Sequence, residues 1–141
     1  LITGFPRNVS AKCVSDGCEA QVLRGRDFYT LLDSHPSMKA TIRDICLRRE
    51  FQKAMCFMTK KAFPKKEEEL RAAFEAVDRD KDGVIQLNEI RSMIKNFDPT
   101  YTENDIKDIV RTLDLTHSGV VRWEDFKRIF GMNGDEKKGE K

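Results

Sequence analysis

The sequence predicts a mainly α-helical protein: two helix-loop-helix units in tandem, preceded by a two-strand and long-helix segment. Three observations lead there. Apolar residues recur three and four positions apart on both sides of two glycine-containing polar loops. The second loop, starting at Asp114, begins 36 residues after the first, starting at Asp78. Upstream, NVSAKCV and EAQVLRG alternate around Asp16-Gly17, the pattern of two strands and a turn.

The elements follow in order. After the strand pair, GRDFYTLLDSHP reads as a short helix with Asp27 near its start. Phe28, Leu31 and Leu32 form its face, and Pro36 ends it. A long helix then runs from Ser37 to about Lys61. It mixes Lys39, Arg43, Arg48, Arg49, Lys53, Lys60 and Lys61 with Met38, Ile42, Ile45, Leu47, Phe51, Met55 and Met58, and its apolar face shifts phase near Leu47. KKEEELRAAFEAV is the helix entering the first loop, with Leu70, Phe74 and Val77 on one face and Glu67 to Glu69 complementing the helix dipole. Ile90, Met93, Ile94 and Phe97 line the exit helix, which Asp98-Pro99 stops. Thr102 with Asp105 makes a box-like N-cap for the third helix of the pair, lined by Ile106, Ile109, Val110 and Leu113. Trp123, Phe126, Ile129 and Phe130 line the last, and Gly131 is its stop. The expected division is 1–60, 66–131 and a tail at 132–141, which has too few apolar residues to order.

The first loop, DRDKDGVIQLNE, places Asp78, Asp80 and Asp82 at alternate positions. Alternate residues of a tight loop can aim three carboxylates at one point. Gly83 follows at the sharp turn, where a positive φ is needed. Val84 can offer its backbone carbonyl, Gln86 can hold a bridging water, and Glu89 can reach back with both oxygens. An all-oxygen set of this kind suits calcium, a hard cation that takes six to eight oxygens at roughly 2.3–2.6 Å. The bland alternative is a solvated acidic turn.

The second loop, DLTHSGVVRWED, repeats the spacing with poorer donors. Asp114, Thr116, Ser118, the Val120 carbonyl and Asp125 are its candidate ligands. Two carboxylates have become hydroxyls, Arg122 adds positive charge, and Asp125 is one methylene shorter than Glu. Fewer charges and fewer oxygens lower calcium affinity, and magnesium, which needs fewer protein oxygens, suffers less. The loop reads either as a weak site, open to magnesium, or as a structural partner of the first. Ile85 and Val121, at position eight of each loop, could pair across a short antiparallel bridge.

Composition narrows the rest. Charged residues are 35% and hydrophobic residues 39%, so a charged surface covers modest cores. A net charge of +2 is too small to argue for nucleic acid. No apolar run approaches the ~20 residues of a membrane helix. The start lacks signal-peptide order and an initiator Met, which suggests a fragment. Cys13, Cys18, Cys46 and Cys56 lack zinc-ligand spacing and read as ordinary thiols of a reducing cytosol, so a cytoplasmic protein, or the cytosolic face of a membrane protein, is expected. His35 and His117 lack a nucleophile and acid arrangement, so no enzyme is expected.

EELRAAFEAVDRDKDGVIQLNEI and DIVRTLDLTHSGVVRWEDF, within 66–131, resemble the calmodulin-like EF-hand superfamily. The resemblance implies calcium binding and helices that reorient on loading, either as a sensor or as a buffer. The groove of such a pair could grip this chain's own basic helix at 37–61, or a partner amphipathic helix. PRNVSAKCVSDGCEAQVLRGRDFYTLLDSHP resembles the end of a cyclic-nucleotide-binding domain, as in catabolite activators, kinase regulatory subunits and gated channels. That resemblance implies a cyclic-phosphate role for Arg7, whose planar fork can meet two phosphate oxygens, and a parent channel, exchanger or kinase. A two-strand remnant cannot close a barrel, so the chain alone is not expected to bind the nucleotide. The remaining alternative is a cyclic-nucleotide sensor with a structural EF-hand pair.

Overall fold

The computed structural model describes residues 11–131. In chain order these form α1 (Gly25–Ser34), α2 (Pro36–Thr59), α3 (Glu67–Val77), β1 (Val84–Ile85), α4 (Leu87–Phe97), α5 (Glu103–Leu113), β2 (Val121–Arg122) and α6 (Trp123–Phe130). The chain separates into two compact units, with the boundary between Cys46 and Leu47, inside α2.

Among the described residues of the first unit the expected strand pair is absent. Residues 11–24 contain no strand, bend only at Ser15 and Asp16, and are exposed throughout. The alternation here buries nothing, and a lone hairpin is marginal in water. Short polar side chains bond the local backbone instead: the Ser15 hydroxyl donates to the Gly17 carbonyl at 2.5 Å and the Cys13 thiol to the Ser15 carbonyl at 3.3 Å. Cys13 and Cys18 are therefore exposed, whereas Cys46 and Cys56 on α2 are half-buried. Helix α1 forms as its periodicity predicts and buries Leu32. It stops at Ser34, and Pro36 opens α2, a position where the missing N–H costs nothing.

The second unit holds the tandem helix pairs. It also takes in the second half of α2, which the sequence pattern groups with residues 1–60. Leu47, Glu50, Phe51, Ala54 and Met55 form a buried stripe at helical spacing. The phase shift near Leu47 is thus the point where a new face begins. The Phe51 ring lies parallel to Phe130 with centroids 5.7 Å apart and meets Phe126 edge-on at 6.0 Å. Phe74 packs edge-on against Phe126 at 5.3 Å, so α2, α3 and α6 share one aromatic cluster. Ile90, Ile94, Ile106, Ile109 and Leu113 are fully buried and close the core from α4 and α5.

The connections obey local chemistry. Thr102 caps α5, its hydroxyl accepting from the Asp105 N–H at 3.2 Å while Asp105 accepts from the Thr102 N–H at 2.9 Å. The two loops are stitched by antiparallel pairing of β1 and β2, with Ile85 opposite Val121 and both fully buried. Gly131 caps α6 with φ −65°, so it does not supply a left-handed turn. It is small for another reason: a Cβ there would lie 2.2 Å from the Lys127 carbonyl oxygen.

Candidate metal centre

Loop 1 is fixed at both ends by helices. Asp78 follows the last residue of α3, and Glu89 lies in the first turn of α4. Gly83 turns the chain with φ +87°, where a side chain would be strained. Lys81, two residues earlier, also adopts a positive φ of 59°. Together these turns bring Asp78, Asp80 and Asp82 together, with one oxygen from each within 4.8 Å of the others.

The hydrogen bonds divide the carboxylate oxygens. Asp78 Oδ2 accepts from the Gly83 N–H at 3.0 Å. Asp78 Oδ1 is buried and accepts no hydrogen bond, the only such side-chain atom among the described residues. A buried oxygen without a donor is costly, and a cation removes the cost. Asp80 and Asp82 each accept one backbone N–H, from Asp82 at 3.2 Å and Val84 at 3.0 Å. The Gln86 amide donates to Asp82 Oδ2 at 2.6 Å and to Asp80 Oδ2 at 3.4 Å, so this side chain gathers the carboxylates directly. Glu89 Oε1 accepts from the Arg79 N–H at 2.7 Å, and Oε2 from the Gln86 N–H at 2.9 Å.

The electrostatics agree with a cation's seat. The Asp82 N–H lowers the Asp80 pKa, but desolvation and the charges of Asp82 and Glu89 outweigh it and hold Asp80 above the ordinary carboxylate value. Crowded carboxylates repel until a cation compensates them. The donor set is all oxygen, which fits a hard divalent ion such as calcium.

Loop 2 has the same backbone and different chemistry. Gly119 turns with φ +86° and His117 at position four with φ +55°. Here the oxygens satisfy one another. Asp114 Oδ2 accepts from the Gly119 N–H at 2.7 Å, and Oδ1 from the Ser118 N–H at 3.0 Å and the Thr116 hydroxyl at 3.2 Å. The Thr116 hydroxyl also lies 3.4 Å from Asp125 Oδ2, and the Ser118 hydroxyl donates to the Val120 carbonyl at 3.1 Å. Burial raises the Asp114 pKa, but the Gly119 and Ser118 N–H groups and the two hydroxyls more than reverse it, so its carboxyl sits below the ordinary value.

Other candidates fall elsewhere. Arg7 lies outside the described residues. His35 Nδ1 is 2.9 Å from the hydroxyl of its neighbour Ser34 and 3.0 Å from the Leu31 carbonyl, an exposed helix-end contact. No described helix is long and apolar enough to cross a membrane.

Residues 48–131 match the family profile described as an EF-hand domain pair. The chain belongs to the EF-hand family. Known relatives include a calmodulin-like protein of Oryza sativa subsp. japonica, 34% identical over 57% of this chain and 49% of its own length. Troponin C of Tachypleus tridentatus is 39% identical over 43% of this chain and 39% of its own. Calhepatin of Lepidosiren paradoxus is 34% identical over 50% of this chain and 95% of its own. The chain therefore spans half or less of the length of the first two. The EF-hand match begins at residue 48, so it takes in the end of the 1–60 segment that resembled a cyclic-nucleotide-binding domain, and that resemblance is without support.

Sequence reasoning missed two polar residues in this EF-hand unit. Glu50 is buried among the apolar residues of α2, where it accepts from the buried Tyr101 hydroxyl at 2.8 Å. A charge standing between Leu47, Phe51 and Ala54 on one helical face was the available signal.

Proposed function

We propose that this EF-hand pair is a calcium-responsive regulatory module with one principal ion site. Asp78, Asp80, Asp82, the Val84 carbonyl, Gln86 and Glu89 would hold the ion. The observation that carries this reading is the buried Asp78 Oδ1, which has no hydrogen-bond donor beside two neighbouring carboxylates. Bound calcium supplies positive charge and open coordination positions for those oxygens.

The protein's own residues would do the rest. Glu89 gives up the Arg79 and Gln86 N–H groups when it turns toward the aspartates. Because Glu89 is in the first turn of α4, that turn moves the helix. Loop 2, with its oxygens already partnered, supports loop 1 through the Ile85–Val121 pair and binds an ion weakly at Asp114, Thr116, Ser118, Val120 and Asp125, magnesium included. The segment 47–59 of α2 is the helix that the pair grips, which favours a module that acts on its own chain. The function is regulatory rather than enzymatic and belongs to the cytosol.

Calcium titration by calorimetry, beside a Glu89→Gln variant, tests the site. One binding event lost in the variant supports the assignment. Binding that survives unchanged, or no binding in either protein, refutes it. The parent-protein and cyclic-nucleotide expectation rests on the residue pattern around Arg7 alone. Cyclic nucleotide added to the same samples tests it, with saturable binding lost in Arg7→Ala as the supporting result.

A further inference from the structure

The Tyr101 hydroxyl is a buried donor held by α4 and spent on α2. Tyr101 is 2% exposed and Glu50 6% exposed, and their hydrogen bond of 2.8 Å joins residues 51 apart in sequence. Glu50 keeps its second oxygen on Lys53 at 2.7 Å. Tyr101 is fastened to α4 from behind, because the Lys95 ammonium donates to the Tyr101 carbonyl at 2.5 Å. Burial, together with the facing Glu50 carboxylate, pushes the Tyr101 phenol well above its ordinary pKa, so it stays a donor.

Helix α4 carries Glu89, and the segment that follows it carries Tyr101, tied back to the helix by Lys95. Glu89 stands in the first turn of α4, and Tyr101 lies four residues beyond its last residue, Phe97. An eleven-residue helix is about 16 Å long and moves as one body. A motion of α4 that carries Glu89 from the Arg79 N–H toward the aspartates would pull on Tyr101 through the short 98–100 connection and the Lys95 contact, and so strain its bond to Glu50.

We infer that the Tyr101–Glu50 hydrogen bond is a latch that opposes calcium loading and keeps segment 47–59 of α2 seated on the EF-hand pair. The inference rests on the proposed role of loop 1. By linkage, a contact made better in the ion-free state lowers calcium affinity by the factor that calcium loading weakens the contact. A buried hydrogen bond to a charged group is of a size to shift affinity about tenfold.

Calcium titration and thermal melts of the full chain test this with Tyr101→Phe, which deletes only the hydroxyl. The expected result is calcium affinity about 5- to 10-fold tighter than wild type, with a lower melting temperature ion-free and a smaller loss when loaded. Affinity that is unchanged or weaker, with equal loss of melting temperature in both states, overturns the latch and leaves loop 1 intact. Absence of calcium binding in the wild-type chain overturns loop 1 and the latch together. Should Tyr101→Phe lose its helical circular dichroism, Glu50→Gln decides. It retains an acceptor and must tighten calcium binding by a smaller factor, and no change in it overturns the latch.

Discussion

Loops 1 and 2 have nearly the same backbone and opposite side-chain economies. Both turn through a glycine near φ +87° and both place a non-glycine residue at positive φ at position four. Both begin with a buried aspartate whose Oδ2 accepts the glycine N–H. The difference lies in the other oxygen. Asp78 Oδ1 has no donor, whereas Asp114 Oδ1 has the Ser118 N–H and the Thr116 hydroxyl. Replacing a carboxylate by a hydroxyl removes a charge and also adds a proton that fills the seat. One backbone thereby carries a loop with an unpartnered buried oxygen and a loop whose own donors partner the equivalent atom.

The largest effect expected on this comparison comes from cutting the bridge between the loops. Ile85→Ala removes a fully buried side chain opposite Val121 and should cost about 2–5 kcal/mol. Chemical denaturation should show the loss, and loop 1 should bind calcium more weakly because its partner no longer holds it. A stability change under about 0.5 kcal/mol, the size of an ordinary surface substitution, would mean the loops stand independently.

Next comes conversion of loop 2 into loop 1. Thr116→Asp with Ser118→Asp and Asp125→Glu removes both hydroxyl protons and restores the missing charge. Calorimetry should then show a second calcium event, tighter than the wild-type loop by on the order of 100-fold. If the triple variant still shows one event, Arg122 or the backbone, rather than the hydroxyls, disables the loop.

Charge neutralisation should act with opposite signs. The raised Asp80 pKa means its ionised form counts against the ion-free fold at neutral pH, so Asp80→Asn should raise the ion-free melting temperature. The lowered Asp114 pKa means its ionised form stabilises the fold. That contribution is complete above the ordinary carboxylate pKa and is lost as pH falls through the lowered value, so Asp114→Asn should lower the melting temperature. Melts at pH 7 in chelator compare the two, and shifts of the same sign would contradict the division of roles.

The smallest effect is expected at the entrance to loop 2. Thr102→Ala removes the cap of α5 and should cost about 1 kcal/mol in chemical denaturation. Loop 1 affinity should stay unchanged, which separates general destabilisation from the coupling that Ile85 carries.

Much of this was readable in the chain. Loop residues at fixed spacing are local, so the convergence of Asp78, Asp80 and Asp82 and the Ile85–Val121 pairing could be inferred from residue types alone. Helices α3 to α6 follow from the three-and-four spacing of residues such as Phe74 and Ile106, because that spacing survives any tertiary setting. The failures came where the outcome depends on distant partners. Alternation in NVSAKCV and EAQVLRG looked like strands, but a strand needs a neighbour and a face to bury, and the described residues 11–24 have neither. Glu50 was not singled out, because its partner Tyr101 lies 51 residues later in the chain. The hydroxyl network of loop 2 was legible as weakened ligands, whereas its self-satisfaction required the geometry.

The most direct measurement follows the backbone amides of Gly83 and Gly119 by nuclear magnetic resonance during calcium titration. Each amide donates to the first aspartate of its own loop, so each reports its own site. The Gly83 resonance should move to completion with one equivalent of calcium, while Gly119 shifts little over that range and moves only at higher calcium. Movement of Gly119 at the same or lower calcium than Gly83 would contradict the asymmetry between the two loops.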